Sequence, residues 1–161
     1  MIEIKAPNEM GEGSKSIFLA GSIEMGNAEK WQDKVVSLMR DTNWTILNPR
    51  RDDWDSSWSQ SINNKRFVEQ VEWELAGLEK ANIILMYFDK NTESPITLLE
   101  LGLHARSHKL IVVCPEGFWR KGNVDVVCNM YNILQVSTLE EVVNNLKCEE
   151  FICPCPIEIK L

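Results

Sequence analysis

Residues 82–114, NIILMYFDKNTESPITLLELGLHARSHKLIVVC, carry the reading that decides the fold. Asn82 to Phe88 and Leu110 to Cys114 are apolar runs that do not alternate with polar residues, the pattern of strands covered on both faces of a parallel sheet. Between them Ser94 suits a helix N-cap and Pro95 the first helical position, so a helix is expected from there to about Ser107. Working toward the N-terminus, Lys65 to Lys80 reads as a helix and Arg50 to Asn64 as a long loop carrying Trp54 and Trp58. Trp44 to Leu47 reads as a strand closed by Asn48-Pro49, Asn27 to Arg40 as a helix, and Ser16 to Ala20 as a first strand ending in Gly21-Ser22. Toward the C-terminus, Asn132 to Val136 reads as a strand and Thr138 to Lys147 as the last helix. Five strands taking turns with helices predict a doubly wound α/β domain with a parallel sheet.

One domain suits a chain of 161 residues, 44% of them hydrophobic, with 8 Gly and 6 Pro. The reading makes residues 1–161 a single domain, its core about 16–147, with 1–15 and 148–161 as terminal extensions. Lys and Arg number 17 against 24 Asp and Glu, a net charge of −7, which gives no electrostatic footprint for nucleic acid or an anionic membrane. The apolar runs are too short to span a bilayer and the start lacks a signal-like stretch, so a cytoplasmic protein with a small-molecule ligand is expected. The five cysteines read as reduced thiols, Cys114 as a small core residue. Cys153-Pro-Cys155 has no second close pair to complete a zinc site, so neither metal nor organic cofactor is expected.

In a doubly wound sheet, ligands bind beyond the carboxyl ends of the strands where the strand order reverses. That points to Gly21-Ser22-Ile23, to Asn48 through Trp54 and to Asp89 through Glu100. Two glutamates there sit where carboxylates are costly. On the Lys65–Lys80 helix Phe67, Val71, Leu75 and Leu78 fall on one arc, and Glu74 falls inside it or just beside it. Glu100 is surrounded by Ile96, Leu99 and Leu103 on its own side of the helix and by Leu98 and Leu101 beyond, with Gly102 leaving room for a close approach. Burial raises the pKa of a carboxyl group, and paired carboxyls in one cleft perform acid–base and nucleophilic work at a glycosidic carbon. A rim residue paired with a local cation is the alternative for Glu74. His104 and His108 are weaker acid–base candidates.

Ile17-Phe-Leu-Ala-Gly-Ser-Ile23, Gln70-Val-Glu-Trp-Glu-Leu75 and Ser94 through Ala105 with its Glu-Leu-Gly core resemble the nucleoside 2-deoxyribosyltransferase superfamily, which includes 2'-deoxynucleoside 5'-phosphate N-hydrolases. Asn48-Pro-Arg-Arg51, Ser94-Pro-Ile-Thr97 and Cys114 through Asn123 fit its nucleoside 2-deoxyribosyltransferase-like branch. The resemblance implies a flavodoxin-like fold whose five strands, numbered in chain order, lie as 2-1-3-4-5. It implies that the glutamate of Glu-Leu-Gly, Glu100, is the nucleophile, and that an acidic residue eight positions before the polar residue opening the third strand assists it. Counting back from Asn82 gives Glu74. Family transferases place an aspartate six residues before the nucleophile, where this chain has Ser94; the phosphate-using hydrolases have a serine near that point, at a helix N-terminus suited to a 5'-phosphate.

By the same resemblance Gly21, Ser22 and Ile23 line the sugar or phosphate side, and Asn48 and Arg50 are placed for the base, unless theirs is a solvated loop anchored by Asp52 or Asp53. Trp119, Arg120 and Asn123 are the candidates to complete a neighbouring subunit's pocket in a homodimer or higher homo-oligomer. The expected activity is cleavage or transfer of the N-glycosidic bond of a nucleoside or nucleotide through a covalent glycosyl-Glu100 intermediate. A catalytically degenerate module that binds a nucleotide or an ADP-ribose-like compound, and a glycohydrolase acting on NAD, are the competing readings.

Overall fold

The computed structural model describes residues 1–11, 15–23 and 28–147. Cys148, Cys153 and Cys155, the C-terminal extension and the expected helix start at Asn27 lie outside the described residues. In chain order the elements are β1 (Ile2–Lys5), β2 (Ser16–Gly21), α1 (Trp31–Leu38), β3 (Thr45–Asn48), α2 (Lys65–Lys80), β4 (Ile83–Tyr87), α3 (Pro95–His104), β5 (Leu110–Val113), α4 (Lys121–Met130), β6 (Leu134–Val136) and α5 (Leu139–Lys147). The six strands form one sheet in the order β1-β3-β2-β4-β5-β6, every pairing parallel.

The flavodoxin-like α/β reading holds, with a correction to the strand count. Five strands keep the expected order, and a sixth, β1, adds to the edge beside β3 from residues expected to form an extension. Four residues of Ile-Glu-Ile-Lys, only partly buried, carry the weak alternation of an edge strand, which composition alone does not separate from a tail. α4 carries a weak helical signal in the sequence, because KGNVDVVCNM mixes Gly and Asn among its apolar positions.

Two apolar layers cover the sheet. Trp31, Val35 and Met39 pack with Leu139, Val142 and Leu146 on one face, and Trp73, Leu78, Leu101, Val124 and Cys128 on the other. Cys114 lies in the second layer as expected, and burial pushes its thiol up to about 12. The buried side of α2 differs from the expected arc: Gln70, Trp73, Gly77 and Leu78 face inward, while Leu75 is 45% exposed. The Phe18 ring sets this face. It lies 6.1 Å from the Trp73 ring, and a Cβ at position 77 would come within 2.6 Å of it, so only glycine passes there.

The strand order reverses between β2 and β4, opening a crevice at their carboxyl ends. Gly21 closes β2 at φ +149°, and a Cβ there would lie 2.3 Å from the Tyr87 carbonyl oxygen. The close fit lets Ser22 bridge the two strand ends: its N–H donates to the Tyr87 carbonyl at 3.0 Å, and its Oγ accepts from the Asp89 N–H at 2.9 Å.

Candidate active site

α2 begins where Asn64 accepts from the Arg66 and Phe67 N–H groups and runs unbroken to Lys80, so Glu74 sits well inside a stable helix. α3 begins at Pro95 and carries Glu100 in its second turn. Both helices pack on the same side of the sheet, against β2. Glu100 is 8% exposed and Glu74 half-buried. Burial, then the charge of Glu74, pushes the Glu100 carboxyl up to about 8. Burial also raises Glu74, opposed by a hydrogen bond in which Gln70 Nε2 donates to Glu74 Oε1 at 2.8 Å. The charge of Glu74 thus reaches Glu100 and opposes its ionisation.

The shielding of Glu100 differs from the expectation. Thr97, Leu101 and His104 are the α3 residues buried with it, whereas Ile96, Leu99 and Leu103 are 60%, 57% and 60% exposed. Glu100 thus lies at the border between the helix's inner face and an outer apolar stripe. Outside its own helix, no described atom comes within 4 Å of a Cβ built on Gly102, so the space beside it is open. His104 is buried and its pKa is lowered, chiefly by burial, which keeps its ring neutral.

At the α3 N-terminus, Ser94 stands in the left-handed region at φ 48° and its hydroxyl makes no capping bond to the helix. The hydroxyl instead meets Ser22 Oγ and lies 2.7 Å from Thr92 Oγ1, while Thr92 Oγ1 donates to Ser22 Oγ at 3.1 Å. Three buried hydroxyls thus converge on the crevice beside Asp89, whose carboxylate accepts from the backbone N–H groups of Glu29 and Asn91. A cavity of about 370 Å³ adjoins this corner, lined by Tyr87, Asp89, Asn91 and Pro115 among others. Ile23 follows Ser22 at intermediate exposure.

The base-side candidates are tied inward. Asn48 is fully buried; its Nδ2 donates to Glu3 Oε1 at 2.7 Å and its Oδ1 accepts from the Arg50 N–H at 3.0 Å. Arg50 Nη1 donates to Gln32 Oε1 at 3.3 Å. The loop is anchored by Asp52 on Lys5 and by Asp53 on Arg51. Trp119 Nε1 donates to the Glu93 carbonyl at 3.0 Å and Arg120 stacks over the Trp119 ring at 4.2 Å, which sets both at the rim of the α3 N-terminus; Asn123 is exposed on the first turn of α4. Sequence reasoning missed Thr92 and Gln70, whose positions became meaningful only beside Ser22 and Glu74. Among the described residues no group of His, Cys, Asp and Glu is placed to hold a metal ion.

Because the Glu100 pKa rises from 4.5 unfolded to about 8 folded, the folded chain keeps a proton that the unfolded chain has released between those values. Its contribution to stability therefore falls as pH rises from about 4.5 toward 8. Glu100→Gln removes that loss: chemical denaturation is expected to show a gain on the order of 3 kcal/mol at pH 8 and none near pH 4. Equal stability of the two proteins at both pH values would contradict the burial of this carboxyl.

A structure of a conserved protein from Enterococcus faecalis V583 matches with a TM-score of 0.57 at 10% identity, covering 82% of this chain and 96% of that one. The Clostridium botulinum CMP N-glycosidase BcmB matches with a TM-score of 0.52 at 16% identity, covering 82% and 98%. Both establish likeness of fold. A search of curated proteins finds no match. The family model described as nucleoside 2-deoxyribosyltransferase like matches residues 14–118, a span that includes Ser22, Glu74, Ser94 and Glu100, and the chain belongs to that family.

Proposed function

We propose that this chain, as one domain, breaks the N-glycosidic bond of a nucleoside or nucleotide through a covalent glycosyl ester on Glu100. The observation that carries the reading is a buried Glu100 whose carboxyl feels the charge of the half-buried Glu74, on two helices packed against β2, the strand that ends at the crevice. The family and the fold shared with a CMP N-glycosidase support enzymatic action at such a bond. Glu100, as carboxylate, attacks C1'; the C1'–N bond breaks, its electron pair leaves with the base, and the base takes up a proton. Water, or the ring nitrogen of a second base, then attacks C1' and loses a proton, the C1'–O bond to Glu100 breaks, and Glu100 leaves as carboxylate. Glu74 holds a sugar hydroxyl and keeps its charge near the reacting centre. Ser22, Thr92 and Ser94, with the N–H groups opening α3, receive the 5' end of the sugar. Gly21 and Ile23 shape that side of the pocket, and Asn48 and Arg50 brace the turn beside the base. No metal or organic cofactor is called for in either step, and nucleosides or nucleotides of the cytoplasm are the substrates.

One observation favours a second reading. Ser94 replaces the family transferases' aspartate, and its hydroxyl is engaged with Ser22 and Thr92. A module that binds a nucleotide without turning it over fits that feature.

Intact-mass spectrometry after incubation with paired nucleosides, nucleotides and NAD, with free base measured in the same samples, separates the two. A released base, with or without a sugar adduct, that is lost at least 1,000-fold in Glu100→Ala is the expected result, about 4 kcal/mol of barrier. Binding with no base release from any substrate would favour the module instead.

The same account places a second copy of this chain on the outer stripe of α3. Ile96, Leu99 and Leu103 follow one another at helical spacing and are 60%, 57% and 60% exposed, an apolar face of α3 turned to solvent. In this reading a copy covering the stripe shields Glu100 from solvent, and Trp119, Arg120 and Asn123 are the residues that would complete a neighbouring subunit's pocket. Analytical ultracentrifugation should show a dimer or larger species, and a monomer for Leu103→Asp. A monomeric unsubstituted protein at micromolar concentration would remove this part of the account.

A further inference from the structure

Gln70 holds a position that none of the roles above uses. Its side chain is buried on α2, one turn before Glu74. Nε2 donates to the Pro49 carbonyl oxygen at 2.8 Å and to Glu74 Oε1 at 2.8 Å, while Oε1 has no hydrogen-bond partner. Pro49 decides which end of the amide faces where. A carbonyl oxygen only accepts, so the NH2 end must face it, and the second N–H then points at Glu74 in either protonation state. Turning the amide over would set its oxygen against the Pro49 carbonyl and the Glu74 carboxylate and forfeit two bonds at a buried side chain; leaving Oε1 unpaired is the smaller cost. The anchor is itself fixed. The turn that presents Pro49 is held by Asn48, through Glu3 of β1 and the Arg50 N–H.

We propose that Gln70 is a positioning residue: braced against the Pro49 carbonyl, it holds one oxygen of the Glu74 carboxyl as an acceptor and so makes Glu74, not Glu100, the member of the pair that carries the negative charge. The proposal rests on the assignment of Glu74 and Glu100 as the reacting pair. A neutral N–H donor stabilises a carboxylate more than a carboxylic acid. On Glu74, burial favours the neutral form and Gln70 opposes it; on Glu100, burial and the Glu74 charge both favour the neutral form. His104, one turn beyond Glu100 on α3, is held neutral by burial and takes its electrostatic influences from Glu79 and Lys109. The unliganded site therefore rests with Glu74 ionised and one proton on Glu100.

Carbon-13 NMR titration of the glutamate carboxyls in the substrate-free full chain tests this, with Glu74→Gln and Glu100→Gln identifying the steps. Glu74 is expected to ionise in the lower step and Glu100 in the upper. Gln70→Met, similar in volume and without the amide, is expected to raise the lower midpoint by about one pH unit. The side-chain 15N resonance of Gln70 in the unsubstituted protein is expected to follow the lower step. A lower step unmoved by Gln70→Met, or one that disappears with Glu100→Gln instead of Glu74→Gln, overturns the proposal. Should Gln70→Met fail to fold, the Gln70 resonance decides: one that ignores the lower step overturns it. No substrate is present, so this outcome is separate from that of the base-release assay, where retained turnover in Glu100→Ala removes the reaction and leaves the order of ionisation standing.

Discussion

Two carboxyl groups in one desolvated place cannot both be charged at low cost, and the rest of the site is arranged around that constraint. Glu74 comes from α2 and Glu100 from α3, helices that reach the same place because both pack on β2. β2 can end beside β4 only through a glycine: at Gly21 a side chain would meet the Tyr87 carbonyl. Ser22 then ties the two strand ends together and begins a hydroxyl group of three with Thr92 and Ser94. A single backbone constraint thus sets the polar corner of the crevice on one side and the frame for the carboxyl pair on the other.

Much of this arrangement was legible in the sequence where the signal is local. α2 spans the expected Lys65–Lys80 because Asn64 caps it and its Glu, Leu, Lys and Ala residues outweigh the one Gly77. β4 and β5 were legible as continuous apolar runs, and Glu100 as a carboxyl amid leucines. What was not legible depends on contacts between distant segments. α3 is apolar on both faces, so spacing could not separate the leucines that shield Glu100 from those facing outward; Leu99 and Leu103 belong to the second group. The buried arc of α2 was misplaced because Phe18 sets it, through Trp73 and Gly77. Gln70 reads as an ordinary polar helix residue until Pro49 is seen to fix its amide.

Ser94 sets the character of its corner of the crevice. An aspartate there would add a third carboxylate near Glu100 and Asp89. The serine contributes a neutral hydroxyl to a group already held by Ser22 and Thr92, at the positive end of α3. This corner is better suited to an oxygen-rich or anionic 5' group than to proton transfer. In the proposed reaction, the chemistry at C1' falls to the two glutamates.

The most direct test of the central claim is the pH dependence of kcat/KM for base release, which reports ionisation in the free enzyme. A buried nucleophile that keeps its proton to about pH 8 predicts a rise of about tenfold per pH unit from pH 5.5 to 7.5, levelling near 8, with no comparable limb in Glu100→Ala. A profile flat from pH 5.5 to 8 would show that the reacting carboxyl ionises like an exposed glutamate, and would contradict the account.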